Sequence, residues 1–149
     1  MSLTGPGTFA EDYRVGDLIR HARGKTVTPF DGAGLALLAM NTSDGHFNDH
    51  AMQDGDVGRS VVFGALTLAI VVGLAMQDTG ENAIAELGLD NVRFLLPVIH
   101  GDTLYAYSRV VAVDGEVLVF DHWGVNQRDQ IVLEARRTVR IARSRTRDG

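Results

Sequence analysis

The residues able to do chemistry crowd into one stretch. Between Asn41 and Arg59 the sequence NTSDGHFNDHAMQDGDVGR brings Asn41, Ser43, Asp44, His46, Asp49 and His50 close together. Histidine exchanges protons near neutrality because its ordinary pKa is about 6.5, so His46 reads as a proton shuttle or as a surface turn histidine. Asn41 cannot be a base, but its amide can both donate to and accept from a water molecule. The alternative is that Asn41 and Ser43 end a preceding helix and cap a turn. Shortly afterwards Gly64 opens an apolar run. A glycine at a helix start offers a free N–H where the helix dipole favours negative charge, although a packing glycine fits the same pattern. His46 and His50 stand at metal-ligand spacing around Asp49. The glutamate of H-E-x-x-H is missing and the segment is not convincingly helical, so no metal site is expected. His21, His100 and His122 show no partner pattern. The chain has no cysteine, which excludes thiolate nucleophiles, disulfides and thiolate metal sites. It also lacks the G-x-G-x-x-G, P-loop and G-x-S-x-G motifs.

These groups need a frame. The 149 residues suffice for one domain with a real core, and 45% hydrophobic against 22% charged residues argue for a globular chain. The organisation expected is a flexible N-terminal segment at 1–12, one domain at 13–143 and a flexible basic tail at 144–149. Met1 to Glu11 has neither a basic start nor an apolar run, so no signal peptide and a cytoplasmic location are expected. The net charge of −5 makes a general nucleic-acid partner unexpected. From Arg128 onward, however, seven arginines face three acids, so Arg136, Arg140 and Arg143 are candidates for a small polyanion, or else a solvated strand face.

Asp17 to Thr28 reads as a short strand. Thr28–Pro29–Phe30–Asp31 is a helix start: Thr28 caps, Pro29 loses no hydrogen bond, and Asp31 lies three residues past the cap. Residues 41–59 form a loop long enough to suggest function. Ser60 to Met76 carries no charge, is too long for one strand, and predicts a helix beginning near Phe63 or Gly64 without membrane-flanking signals. Leu87 to Leu96, Asp102 to Ala112, Val117 to Val125 and Ile131 to Ile141 read as strands. Asp114–Gly115 makes a hairpin turn, and Asn126 to Gln130 makes the next. A helix apolar all round must be covered on most sides. About five antiparallel strands curled around it would do so, leaving edges for a second copy. The fold class expected is α+β, a hotdog: a curved antiparallel sheet wrapped around one long buried apolar helix, in a homodimer or higher even-numbered homo-oligomer.

Four segments taken in order carry a family resemblance: Glu11–Asp12–Tyr13 with Val15–Gly16–Asp17, Gly24–Lys25–Thr26–Val27–Thr28, Asn41–Thr42–Ser43–Asp44–Gly45–His46–Phe47, and Val62–Phe63–Gly64–Ala65–Leu66–Thr67–Leu68. The pattern resembles the MaoC-like dehydratases, the (R)-specific enoyl-CoA hydratase group, and most of all their mesaconyl-CoA hydratase (methylmalyl-CoA dehydratase) branch. It runs from about Tyr13 to Arg143. In the family's loop motif, Gly-Asp-x-Asn-Pro-x-His, His46 takes the histidine position, Asn41 the aspartate position, Ser43 the asparagine position and Asp44 the proline position. The helix-opening motif, usually His-Gly, stands here as Phe63–Gly64–Ala65.

The resemblance implies reversible hydration and dehydration of an α,β-unsaturated acyl-CoA thioester. His46 and Asn41 would be the catalytic pair, Gly64 the oxyanion hole, and Ser43, Phe47, Phe63 and Ala65 the substrate-binding residues. Coenzyme A would enter as part of the substrate, with no further cofactor, metal, nucleic acid or membrane involved. Asp44 is a conceivable substitute carboxylate, and Arg136, Arg140 and Arg143 are candidates for the coenzyme phosphates. The rival functions are a non-catalytic acyl-binding hotdog subunit, which the missing aspartate favours, and an acyl-CoA thioesterase, which the absence of an acid from Ser60 to Met76 disfavours.

Overall fold

Alternation of side chains builds the sheet. In the computed structural model, which describes residues 8–144, five strands form: β1 (Leu18–Thr26), β2 (Ala83–Phe94), β3 (Thr103–Asp114), β4 (Val117–Val125) and β5 (Ile131–Ile141). They pair antiparallel in the order β1-β3-β4-β5-β2. Leu104, Ala106, Ser108 and Val110 of β3 are buried on one face, as are Leu118, Phe120 and His122 of β4. The β3–β4 hairpin closes through Gly115 at φ +59°, the left-handed conformation its turn requires. Asn126 fixes the next turn, its Oδ1 accepting from Arg128 N (2.9 Å) and Gln130 N (3.2 Å).

Helix α1 (Pro29–Leu38) starts as its sequence dictates. Thr28 Oγ1 accepts from Asp31 N at 3.2 Å, and Asp31 Oδ2 accepts from Thr28 N at 2.9 Å. These donors, with the Lys25 ammonium, pull the Asp31 carboxyl down to about 2. The stretch 41–59, expected as a loop, contains a 3-10 turn at Asp44–His46 and a short helix α2 (Asp49–Met52). Asn48 caps α2 with its side chain, accepting from Ala51 N at 3.0 Å. Ala10, at 1% exposure, ties the N-terminal stretch to Ala142 through a 3.0 Å backbone bond, and Ser144 N donates to Glu11 Oε1 at 2.9 Å. Residues 8–12 and 144 are therefore anchored, while the rest of the two expected flexible segments, 1–7 and 145–149, lies outside the described residues.

Helix α3 (Gly64–Thr79) lies against the sheet. Its buried stripe is Thr67, Val71, Ala75, Asp78 and Thr79, facing Val27, Leu104, Ala106, Val132 and Leu133. Gly124 of β4 lets the strand approach closely, since a Cβ there would stand 2.4 Å from Val71 Cγ2. The opposite stripe, Ala65, Ala69 and Gly73, is exposed. The helix is apolar all round, but one sheet of one chain covers a single side.

A polar cluster pins the C-terminal end of α3. Asp78 Oδ2 accepts from His21 Nδ1 at 2.7 Å, His21 Nε2 meets Ser108 Oγ at 2.7 Å, and Ser108 Oγ meets His122 Nδ1 at 2.6 Å. All four side chains are 2% exposed or less. Arg137 is equally buried; it binds the Glu86 carboxylate and donates to Thr79 O at 3.1 Å, satisfying a helix-end carbonyl. Burial, reinforced by the Arg137 and His21 charges, pushes the His122 imidazole down to about 3, and burial also lowers His21 despite Asp78. Both groups therefore protonate more readily in the unfolded chain. Their stability contribution is full above about pH 6.5 and is lost as pH falls toward the folded values. His122 accounts for a slope of up to about 1.4 kcal/mol per pH unit in that window. The thermal midpoint is expected to fall steadily between pH 7 and pH 4, and His122→Gln to make the decline shallower. An unchanged slope in that variant would place the acid sensitivity elsewhere.

Candidate active site

His46 is oriented from both sides by its own loop and by the lead into α3. Its backbone N–H donates to Ser43 O at 3.0 Å, closing the 3-10 turn. Val61 N donates to Gly45 O at 2.8 Å, and His46 Nδ1 donates to Val61 O at 2.9 Å. A carbonyl accepts only, so Nδ1 carries the proton and Nε2 is left with its lone pair free to accept another. The Phe63 ring lies 5.4 Å from the imidazole, centroid to centroid, at a 47° tilt. Asp49 completes the clasp. Its Oδ1 accepts from Ser60 N (2.8 Å) and Ser60 Oγ (2.6 Å), which also hold its carboxyl below the usual range. The His46–Asp49–His50 spacing thus reflects a loop clasp, and among the described residues no cluster of three potential metal ligands occurs.

Gly64 is the first residue of α3, with Phe63 as its extended cap at φ −56° and ψ 125°. As the first helical residue, its N–H has no intrahelical acceptor. His46 and Gly64 line the same cavity of about 300 Å³. Its other walls are Val61, Val62, Thr67 and the segment from Phe94 to Val98. Phe94 packs directly on Gly64, where a Cβ would meet the ring at 2.9 Å. The two polar side chains on the cavity wall are His46 and Thr67.

Other expected site residues lie elsewhere. Asn41 does not line this cavity. Its N–H donates to Ala36 O at 2.8 Å while Met40 N donates to Leu37 O at 3.0 Å, the paired bonds that end a helix through a left-handed residue. Met40 supplies that residue, at φ +59°. The Asn41 side chain turns into its own loop, Oδ1 accepting from Ser43 N at 3.3 Å. Ser43, Asp44 and Phe47 are exposed, as is Ala65 on the uncovered stripe of α3. Arg136 and Arg140 alternate with the buried Ala135, Arg137 and Val139, so they sit on the sheet face away from α3. Arg136 is held there by Asp121 at 2.7 and 3.0 Å. Arg143 is exposed past the end of β5. The strip therefore does not flank the cavity. Thr67 and the Val61 carbonyl join the site without having been expected. Thr67 had a legible signal, as the one polar side chain between Val61 and Met76 and a turn from Gly64.

Comparison with known proteins gives a consistent picture. The family described as mesaconyl-CoA hydratase matches residues 8–143. A β-methylmalyl-CoA dehydratase of Chloroflexus aurantiacus is 36% identical over 93% of this chain and 41% of its own length. The solved structure of a MaoC domain protein from the same organism superposes with TM-score 0.87 at 34% identity, over 97% of this chain and 43% of that one. A Mycobacterium tuberculosis protein with a double hotdog fold, 18% identical, superposes with TM-score 0.81 over 97% of this chain and 46% of that one, which establishes the hotdog architecture. The chain spans about two fifths of the length of the curated relative.

Proposed function

The chain belongs to the mesaconyl-CoA hydratase family, and from that premise we propose that it catalyses the reversible addition of water to an α,β-unsaturated acyl-CoA thioester. The observation that carries this reading is the shared cavity of His46 and Gly64. In the hydration direction, His46 Nε2 takes a proton from water as the oxygen attacks the β-carbon. The electron pair moves to the thioester oxygen, where the Gly64 N–H at the positive end of α3 stabilises it. The imidazolium then returns the proton to the α-carbon, giving the 3-hydroxyacyl thioester. The scheme uses no metal or redox cofactor, and coenzyme A is part of the substrate. Phe63 steadies the imidazole, and Asn41, Ser43 and Phe47 shape the loop that carries it.

A second hotdog unit, most simply a second copy of this chain, would cover the exposed stripe of α3. The apolar groove beside that stripe, between Ala69, Val72, Gly73 and Met76 and the residues Leu87 and Leu89 of β2, supports such pairing. Among the described residues no helix is long and apolar enough to cross a membrane, and a coenzyme A thioester as substrate supports a cytoplasmic location.

The test is a panel of crotonyl-, mesaconyl- and longer enoyl-CoA thioesters. Loss of enoyl-thioester absorbance without release of free thiol is the expected result. Thiol release would mean a hydrolase, and no turnover with retained binding would mean an acyl-binding subunit. Light scattering on the same preparation should give an even-numbered mass, and a monomer would overturn the pairing.

A further inference from the structure

A water molecule that loses one proton to a single imidazole is still free to rotate about that hydrogen bond. Aiming its lone pair at a carbon requires a second contact. The hydration scheme therefore needs another polar group in the cavity, and Asn41 does not line it. Thr67 does. It is 3% exposed, it lies one turn past Gly64 on the same side of α3, and it faces a wall otherwise made of hydrocarbon apart from His46. Threonine inside a helix ordinarily satisfies its hydroxyl on the carbonyl four residues back. Thr79 does so, donating to Ala75 O at 2.8 Å. No such bond to the carbonyl four residues back, Phe63 O, is seen for the Thr67 hydroxyl among the described residues, and Thr67 lines the cavity. Its Oγ1 is not among the buried side-chain oxygens left without a partner, so it meets the open space of the cavity, where an oxygen of a bound ligand can take the place of solvent.

We propose that Thr67 is a positioning residue that holds the reacting oxygen, an inference that rests on the hydratase reading above. Thr67 Oγ1 accepts the hydrogen of the attacking water that His46 does not take. After addition it remains bonded to the new 3-hydroxyl. In the reverse direction it binds that hydroxyl before elimination. The enoyl thioester has no oxygen at this point, so Thr67 contributes to binding of the hydroxyacyl thioester and not of the enoyl one.

That asymmetry supplies the test. Thr67→Val keeps the shape and removes the hydroxyl. It is expected to lower kcat for hydration roughly 10- to 100-fold, the effect of one lost hydrogen bond. KM for the enoyl-CoA should stay unchanged while KM for the 3-hydroxyacyl-CoA rises by a similar factor. Thr67→Ser, which restores the hydroxyl, should return both constants to near the parent values. If Thr67→Val fails to fold, Thr67→Ala against Thr67→Ser poses the same comparison. A parent active in hydration whose hydroxyl-free variant keeps its kcat and both KM values would overturn this inference alone. A parent inactive on every enoyl thioester would overturn the hydratase reading, and the role of Thr67 with it.

Discussion

His46→Asn is expected to lower kcat for hydration by about 10²–10⁴-fold, the usual range for a general acid–base group, with KM changed little. Asparagine is the informative replacement because its side-chain N–H reaches the place of imidazole Nδ1, which now donates to Val61 O at 2.9 Å. The variant keeps that tie between the His46 loop and the lead into α3, and loses only the accepting nitrogen. His46→Ala removes both, so any activity difference between the two measures the cost of loosening the loop. The measurement is initial rate by enoyl-thioester absorbance, with thermal midpoints as a control. His46→Asn should match the parent in stability, since the half-buried ring leaves no large void and the Asp49–Ser60 clasp is untouched. Full turnover in the asparagine variant would remove His46 from the chemistry and leave the cavity as an acyl-binding pocket.

Local signals carried the fold wherever one face of an element met the core. β4 and β5 run over Val117–Val125 and Ile131–Ile141 as their alternation predicts, because each strand buries one face and a turn limits each end. β2 begins at Ala83, four residues before the expected start, and ends at Phe94. It is an edge strand whose Ile84, Leu87 and Leu89 are exposed in the single chain, so its pattern answers to something other than this chain's own core. The last turn of α3 was missed for a related reason. Gln77, Asp78 and Thr79 look like the polar end of a helix, yet Asp78 is buried and its Oδ2 accepts from His21, 57 residues away. Ser108 joins His21 and His122 across three strands, a contact that no local pattern encodes. Family register names His46 and Gly64, and the two line one cavity. That register also offered Asn41, which the αL turn at Met40 directs into its own loop.

Gly64→Pro isolates the other half of the chemistry. Proline at the first position of a helix costs the fold little, because the N–H it lacks has no intrahelical partner and its fixed φ suits the helix. The residue before a proline must be extended, and Phe63 already is, at φ −56° and ψ 125°. The substitution therefore replaces the N–H on the cavity wall by a ring carbon while α3 keeps its length and its buried stripe. Losing an oxyanion donor is expected to lower kcat by about 10²–10³-fold, or about 2.7–4 kcal/mol of transition-state stabilisation. The added ring carbons must displace the Phe94 ring, 2.9 Å from where a Cβ would stand, but that side chain is 56% exposed and has room to move. Gly64→Ala adds the same Cβ and keeps the N–H, so it reports the steric effect of the Cβ against Phe94, chiefly as a change in KM. A proline variant that folds and turns over like the alanine variant would mean the thioester oxygen is stabilised somewhere other than the start of α3. A proline variant far slower than alanine at equal stability would tie the rate to an open N–H at the start of α3.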